Sequence, residues 1–457
     1  MATISTCSQR LALWAAVVGC LAVNGGAGDC VEGPLPTPTP VPSESYRDLS
    51  FEELLHVPTT HKSRGIFFGP AGEPSADTVR IGLLTPCSRF EKYSQELIDS
   101  VDLATHEINA EGGVLGKKLV IIRADDGGDR DLAEAAAKKL INSWNTVAFI
   151  GPTGSDRALA VAKEVAIPSK IVLITPDATS PAIADLDDHG LVWRTPASDT
   201  LHAKIAADFA ITKLRAETAG IIYLRTLYGI GLKEEFSRVY SSLGGKVVGS
   251  VSVSELVDYS SYDLDPALGE LFTQRPDFIY FAMTEIEAAP ITRQIEDGAY
   301  FTADYRPFCL GSDAVRGQAL LDNCSRVVAE GLFVTSSSTQ TAEEFTARFR
   351  TSFGLAPKYA MAAHAYDNVY LIAYAIAASN SIEPTAFAPY LKAVTEGEVT
   401  VGVGDYREAI LSLKAHRSIR YVGASGAIRF DERGDNTAAH VEISKLQGGS
   451  FVPVQQY

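Results

Sequence analysis

This chain predicts an α/β protein of two Rossmann-like lobes, each built on a parallel sheet, and three observations carry the prediction. From residue 79 onward, short continuous apolar runs alternate with longer segments whose apolar residues recur at helical spacing. Strands that are apolar along their whole length belong to sheets covered by helices on both faces. The alternation halts at Val192-Trp193-Arg194-Thr195 and then begins again, giving two runs of similar length rather than one large sheet.

The chain has 457 residues, 46% of them apolar, which is room for two to three domains with sizeable cores. Its net charge of −16 argues against nucleic acid, whose phosphates need a basic surface. The N-terminus reads as an export signal: Arg10 is the only early cation, and 11–19 is an apolar core too short to span a bilayer. It ends in Val17-Val18-Gly19-Cys20, which resembles a bacterial lipobox. By that likeness 1–19 is a lipoprotein signal peptide, and Cys20 is acylated and holds the protein to a membrane through lipid. Ordinary cleavage and a free periplasmic protein is the alternative. Residues 31–44 hold five prolines and suit an extended tether. Residues 46–76 either trail as an extension or lie against the first lobe.

In the first run, a strand at 79–84 precedes a helix at 93–109, with Leu97, Val101, Ala104 and Ile108 on one face. A strand at 119–123 leads to a helix marked by Leu132, Ala136 and Leu140. A strand at 147–150, a helix at 156–165 and a strand at 171–174 follow. The second run has helix 201–214, strand 220–224 and helix 231–243, with Leu232, Phe236, Val239 and Leu243 on one side. Strand 246–251, helix 266–274, strand 277–282, helix 286–297 and strand 307–310 complete it.

The segments His106-Glu107-Ile108-Asn109-Ala110-Glu111-Gly112-Gly113-Val114-Leu115-Gly116, Asp125-Asp126 and Phe149-Ile150-Gly151-Pro152-Thr153-Gly154-Ser155, in this order, resemble the start of the type I periplasmic binding proteins. That group includes the leucine/isoleucine/valine-binding family of bacterial ABC importers, and the likeness extends with gaps to about residue 454. It implies two lobes joined by a three-segment hinge: 78–196 plus 335–395 as lobe one, 197–334 plus 420–457 as lobe two, and 396–419 as crossover and surface loop. Residues 20–77 form the lipidated tether and extension. The chain is expected to return to lobe one near Glu330-Gly331-Leu332-Phe333, where helices 342–352 and 361–378 pack, the latter with the recurrent Ala365-Tyr366-Asp367. Gly426-Ala427-Ile428-Arg429-Phe430-Asp431 is expected to lead back to lobe two, and 395–405 reads as a long surface loop.

Ligands of open α/β sheets sit beyond the carboxyl ends of the strands. Three such ends carry small polar groups. Ser155 opens a helix after Thr153-Gly154, where backbone N–H groups favour an anion; a plain cap is the alternative. The resemblance makes Ser155 the serine that holds an amino acid's carboxylate. Asp177-Ala178-Thr179 resembles the family's Ala-Thr segment, which grips carboxylate and amine; taken bare it is a turn. Asp177 departs from the usual small residue there and either adds a carboxylate to the pocket or points away. Tyr228-Gly229 resembles a pair whose ring packs on the ligand, and a surface turn is the alternative. A buried ligand ammonium needs an anion. Aligning Arg293-Gln294 with the family's Arg-Gln selects Glu287, with Glu285 second, although acids in a first helical turn also serve as dipole partners. Tyr93 resembles a ligand-lining tyrosine or packs in the core. Ser312-Asp313, after Gly311, is a further lining candidate.

Other chemistries find little footing. Gly229-Ile230-Gly231 lacks the third glycine of a dinucleotide fingerprint, no GxSxG elbow is present, and the histidines form no HExxH set. Asp125-Asp126-Gly127-Gly128-Asp129 does not fit an EF-hand. Cys87 sits after the first strand, as a departure from the family pattern or a partner for Cys30. Cys309 and Cys324, fifteen positions apart, can close a local bridge in an oxidising compartment, and sequence alone does not fix the pairing. The resulting expectation is a non-enzymatic, monomeric, exported solute-binding lipoprotein without cofactor or metal. It takes a small polar ligand, an amino acid or related compound, and passes it to ABC permease subunits. A sensory protein of the same fold and an exported enzyme are the rivals.

Overall fold

Two parallel sheets, each with helices on both faces, organise the chain, and in the computed structural model residues 67–68, 76–255, 263–337 and 342–457 are described. The signal, Cys20, Cys30 and the proline-rich 31–44 lie outside the described residues.

The first sheet runs in the order Phe67–Phe68, Lys118–Asp125, Thr78–Thr85, Ala148–Ile150, Val172–Thr175 and Val192–Arg194. All pairs are parallel except that of Phe67–Phe68, which lies antiparallel on the edge and so places part of 46–76 against this sheet. Helix Glu91–Ala110 buries Leu97, Val101, Ala104 and Ile108 in one cluster with Ile81, Leu83 and Ile150. Helix Met361–Ser379 is apolar around most of its circumference and is buried along nearly its whole length in the same core. On the opposite face, Asp129 caps helix Arg130–Trp144 by accepting the Leu132 N–H at 3.0 Å. The helix expected at 156–165 begins as Ser155–Val161 and widens to a π turn over Ala162–Ala166.

The second sheet runs in the order Ser450–Gln456, Val441–Gln447, Phe333–Ser337, Phe308–Gly311, Phe278–Ala282, Thr218–Leu224 and Lys246–Val253, with the two C-terminal strands antiparallel. Helices Asp199–Thr212 and Leu227–Ser242 cover one face and Asp265–Thr273 and Glu285–Asp297 the other. The backbone crosses between lobes three times: after Val192–Arg194, after Phe333–Ser337, and between Phe430 and Val441.

These crossings correct several boundaries. Phe333–Ser337 is hydrogen-bonded between Phe308–Gly311 and Val441–Gln447, so the chain is still in the second sheet at 330–337 and returns afterwards. The stretch 395–405 is no plain surface loop: Val399–Val401 pairs with Ile419–Gly423 in a small third sheet. Val401, Val403, Tyr406, Ile419 and Tyr421 are buried in the first core, so 396–419 and the strand at 420 belong to lobe one. Ile428 and Phe430 sit in that core too, which moves the last crossing beyond 426–431. The expected Cys309–Cys324 bridge is absent: both are free thiols, Cys309 inside a strand and Cys324 at a helix end, packed as small apolar groups in the second core. Burial pushes the Cys309 thiol up to about 12. Among the described residues no helix is long and apolar enough to cross a membrane.

Candidate functional site

Each sheet has a point where strand order reverses: Thr78–Thr85 lies between Lys118–Asp125 and Ala148–Ile150, and Thr218–Leu224 between Lys246–Val253 and Phe278–Ala282. Loops diverge beyond the carboxyl ends of such strands and leave a crevice. In the first lobe the loop after Ala148–Ile150 turns at Gly151, whose φ of +88° suits glycine and whose absent Cβ would meet the Leu84 carbonyl at 2.3 Å. That close approach delivers Thr153, Gly154 and Ser155 to the crevice.

Ser155 Oγ accepts the Ser180 N–H at 3.1 Å, tying the two loops together. Thr175 Oγ1 accepts the Ala178 N–H at 3.1 Å and donates to the Pro152 carbonyl at 3.1 Å. Asp177 turns inward: Oδ1 accepts the Gly154 N–H at 2.7 Å and Oδ2 the Tyr93 phenol at 2.5 Å. Burial raises the Asp177 pKa against the help of both donors and of Arg157. Arg157 itself is occupied, 3.7 Å from Asp126 and donating to the Thr153 carbonyl at 2.7 Å.

The second lobe meets this wall through the start of Leu227–Ser242. Asp156 accepts the Leu227 N–H at 3.2 Å, the Ser180 hydroxyl donates to the Leu227 carbonyl at 3.5 Å, and Arg89 pairs with Glu255 at 3.0 Å. Gly229 lets the helix begin against the sheet, since a Cβ there would meet the Leu224 carbonyl at 2.2 Å. Tyr228 is thereby aimed at the end of Phe308–Gly311. Its phenol bonds to Asp313 Oδ1 at 2.5 Å and Ser312 Oγ at 2.9 Å, and accepts the Ala314 N–H at 3.3 Å.

The second lobe holds a set of buried polar side chains without well-formed hydrogen bonds, on the helix after the first crossing and on a central strand. Asp199, at the start of the helix after the first crossing, is fully buried, and its carboxylate has no well-formed hydrogen bond, although the Thr179 hydroxyl is near enough to favour its charge. Both ring nitrogens of His202 and the Tyr280 phenol are also buried and unsatisfied. Asp313 is felt by all of them. Burial drives the Asp199 pKa well above the carboxylate range, with Asp313 adding to it and the Thr179 hydroxyl and Arg194 opposing. Burial lowers His202 despite Asp313, so its ring is neutral near pH 7. Tyr228 and Tyr280 are raised by burial and by the same two carboxylates. Orphaned buried groups of this kind are rare in folded proteins and costly when left so. Thr153 Oγ1, on the first-lobe wall, is a further one.

Of the residues singled out from sequence, the structure brings Ser155, Asp177, Ala178, Thr179, Tyr93 and Tyr228 to the facing loops. Glu287 and Glu285 are engaged within their own lobe: the Thr284 hydroxyl donates to Glu287, and Glu285 accepts the Ala319 N–H at 2.6 Å. The second-lobe acid coupled to Asp177 across the crevice is Asp313. Sequence reasoning passed over Asp199, His202 and Tyr280; an acid placed five residues after the run Val192–Arg194 was the available signal. Among the described residues no group of three His, Cys, Asp or Glu side chains is arranged to hold a metal ion.

Comparison with known proteins places this arrangement. The family described as periplasmic binding protein matches residues 78–442. The chain is 26% identical over 389 residues to the Leu/Ile/Val-binding protein BraC3 of Rhizobium johnstonii, covering 82% of this chain and 94% of that protein. It is 25% identical over 368 residues to the chemotactic signal transduction system substrate-binding protein BasB of Halobacterium salinarum, covering 78% and 84%. The solved structure of the branched-chain amino acid transporter substrate binding protein LivJ from Streptococcus pneumoniae, in complex with isoleucine, shares the fold with a TM-score of 0.65 at 20% identity, covering 82% and 99%.

Proposed function

This chain belongs to the type I periplasmic binding proteins of the branched-chain amino acid family, and from that membership we propose that it captures a small amine-bearing solute, an amino acid or a relative of one, between its lobes for an ABC importer. The reading is one of binding and not of catalysis. The observation that carries it is the fully buried carboxyl group of Asp199, with no lysine or arginine paired to it, beside Asp313. A ligand ammonium supplies the missing partner, and closure around it removes both charges from water together. Asp313 takes the part that the sequence assigned to Glu287, with Tyr228 and Tyr280 closing the cage. Ser155, Thr179 and Thr153 offer hydroxyls to a carboxylate from the first lobe. By the lipobox likeness, Cys20 anchors the exported protein to its membrane.

Asp199→Asn tests this. It puts a neutral group of the same shape in place of an acid that can ionise against an ammonium, so affinity for the strongest binder in an amino-acid thermal-shift screen falls by tenfold or more, roughly the worth of a charge-assisted hydrogen bond. Unchanged affinity in both Asp199→Asn and Asp313→Asn sinks the site. The chemotaxis relative favours a second reading, in which the closed form is recognised by a receptor; co-purification with a permease or with a receptor separates the two.

A further inference from the structure

The crevice holds more carboxyl groups than one ammonium answers. Three carboxyl groups border it: half-buried Asp177 from the first lobe, buried Asp199 from the crossing and buried Asp313 from the second lobe, and Asp313 is close enough to raise the pKa of both others. The cations near them are spent elsewhere. Arg157 lies on Asp126 and donates to the Thr153 and Gly128 carbonyls at 2.7 and 3.3 Å. Arg194 holds Asp435 with two bonds of 2.6 and 2.8 Å and gives its remaining nitrogen to the Thr179 and Ser180 carbonyls. Among the described residues no lysine or arginine pairs with Asp177, Asp199 or Asp313.

Asp177 also changes what the first lobe offers. Its own carboxylate takes the Gly154 N–H and the Tyr93 phenol, two donors that would otherwise serve an incoming anion. Each of its oxygens keeps a lone pair free. A hydrocarbon side chain laid beside it would strip water from a carboxylate and return nothing. An ammonium or guanidinium in the same place completes it, and the edge-to-face pair of Tyr93 and Tyr359, 5.3 Å apart, adds aromatic surface that a cation favours.

On the capture reading above, we infer that the ligand carries two cationic nitrogens, one held by Asp199 and Asp313 and the other by Asp177. It is a basic amino acid or a short diamine, and not a branched-chain aliphatic amino acid. Calorimetric titration of the exported chain with lysine, ornithine and putrescine against norleucine, leucine and isoleucine tests this. Lysine or ornithine binds at least about tenfold more tightly than norleucine, which lacks the second nitrogen, and Asp177→Asn closes most of that gap. Putrescine matching lysine identifies a diamine site; lysine ahead of putrescine identifies an amino-acid site using Ser155 and Thr179. Norleucine, leucine or isoleucine binding as tightly as the cations overturns the inference and leaves capture standing. Binding of none of the six overturns both.

Discussion

Asp126 shows how single buried acids set the behaviour of this protein with pH. It is fully buried behind Arg157, and desolvation raises its pKa from 3.8 to about 7, outweighing the Arg157 guanidinium and the Gly128 N–H. The folded chain therefore keeps a proton that the unfolded chain releases above 3.8. The stability this contributes is full below 3.8 and is lost as pH rises to about 7. Asp126→Asn, which has no proton to lose, is expected to gain on the native protein steadily across that window in urea unfolding series; parallel curves from pH 4 to pH 7 would refute the assignment. Residue by residue, legibility from sequence followed locality. Ser155 and Thr179 sit at the loops that follow strands, so their place on the first-lobe loops is readable from sequence. Glu287 follows from alignment to Arg293-Gln294, and in the structure the Thr284 hydroxyl donates to it. Asp199 and Tyr280 are brought beside Asp313 only by the packing of a helix and a strand from separate parts of the second run, which no spacing rule encodes.

Elements were legible where their period was long enough to read. Helix Glu91–Ala110 shows five turns of stripe and was found within two residues at its start and one at its end. Val399–Val401 has three residues and shows none; its burial comes from pairing with Ile419–Gly423 on the first core. The crossings were the least legible, because they are held by contacts between distant segments. Arg194 illustrates this. It ends the first sheet, its backbone N–H bonds to the Gly434 carbonyl, and its guanidinium joins Asp435 of the third crossing to the Thr179 and Ser180 carbonyls of the candidate-site loop. One buried side chain thus fixes a crossing strand and that loop together. Arg194→Ala leaves Asp435 and two carbonyls without their donor, and we expect a loss of about 3–5 kcal/mol in chemical denaturation. Arg194→Lys restores the charge without the fork and recovers only part of it. Full stability in Arg194→Ala would show that the crossings are held by other contacts.

At the scale of the molecule, the bonds between the lobes among the described residues include Asp156 to the Leu227 N–H, the Ser180 hydroxyl to the Leu227 carbonyl, the Asp199 N–H to the Thr179 carbonyl, and Arg89 to Glu255, all of them polar. Arg89 and Glu255 are both part-exposed, so water and salt weaken their pair. On the capture proposed above, such an interface is expected to close reversibly, and a ligand that contacts both lobes shifts the balance by its differential affinity for the closed form. Asp156 sits at this interface without contacting the buried carboxylates, which makes it a probe of closure alone. In Asp156→Ala the Leu227 N–H loses its acceptor and the open form gains. X-ray scattering is expected to give a larger radius of gyration for the ligand-free variant than for the native chain, and saturating ligand is expected to bring both to the same compact value. Affinity falls by the fraction of closed protein lost, while the order of preference among ligands holds. That last pair of results is decisive, because a residue of the pocket would change the order as well. A variant with altered preference would place Asp156 in the binding site, and a variant that scatters like the native chain in both states would show that the lobes are held together by something other than this contact.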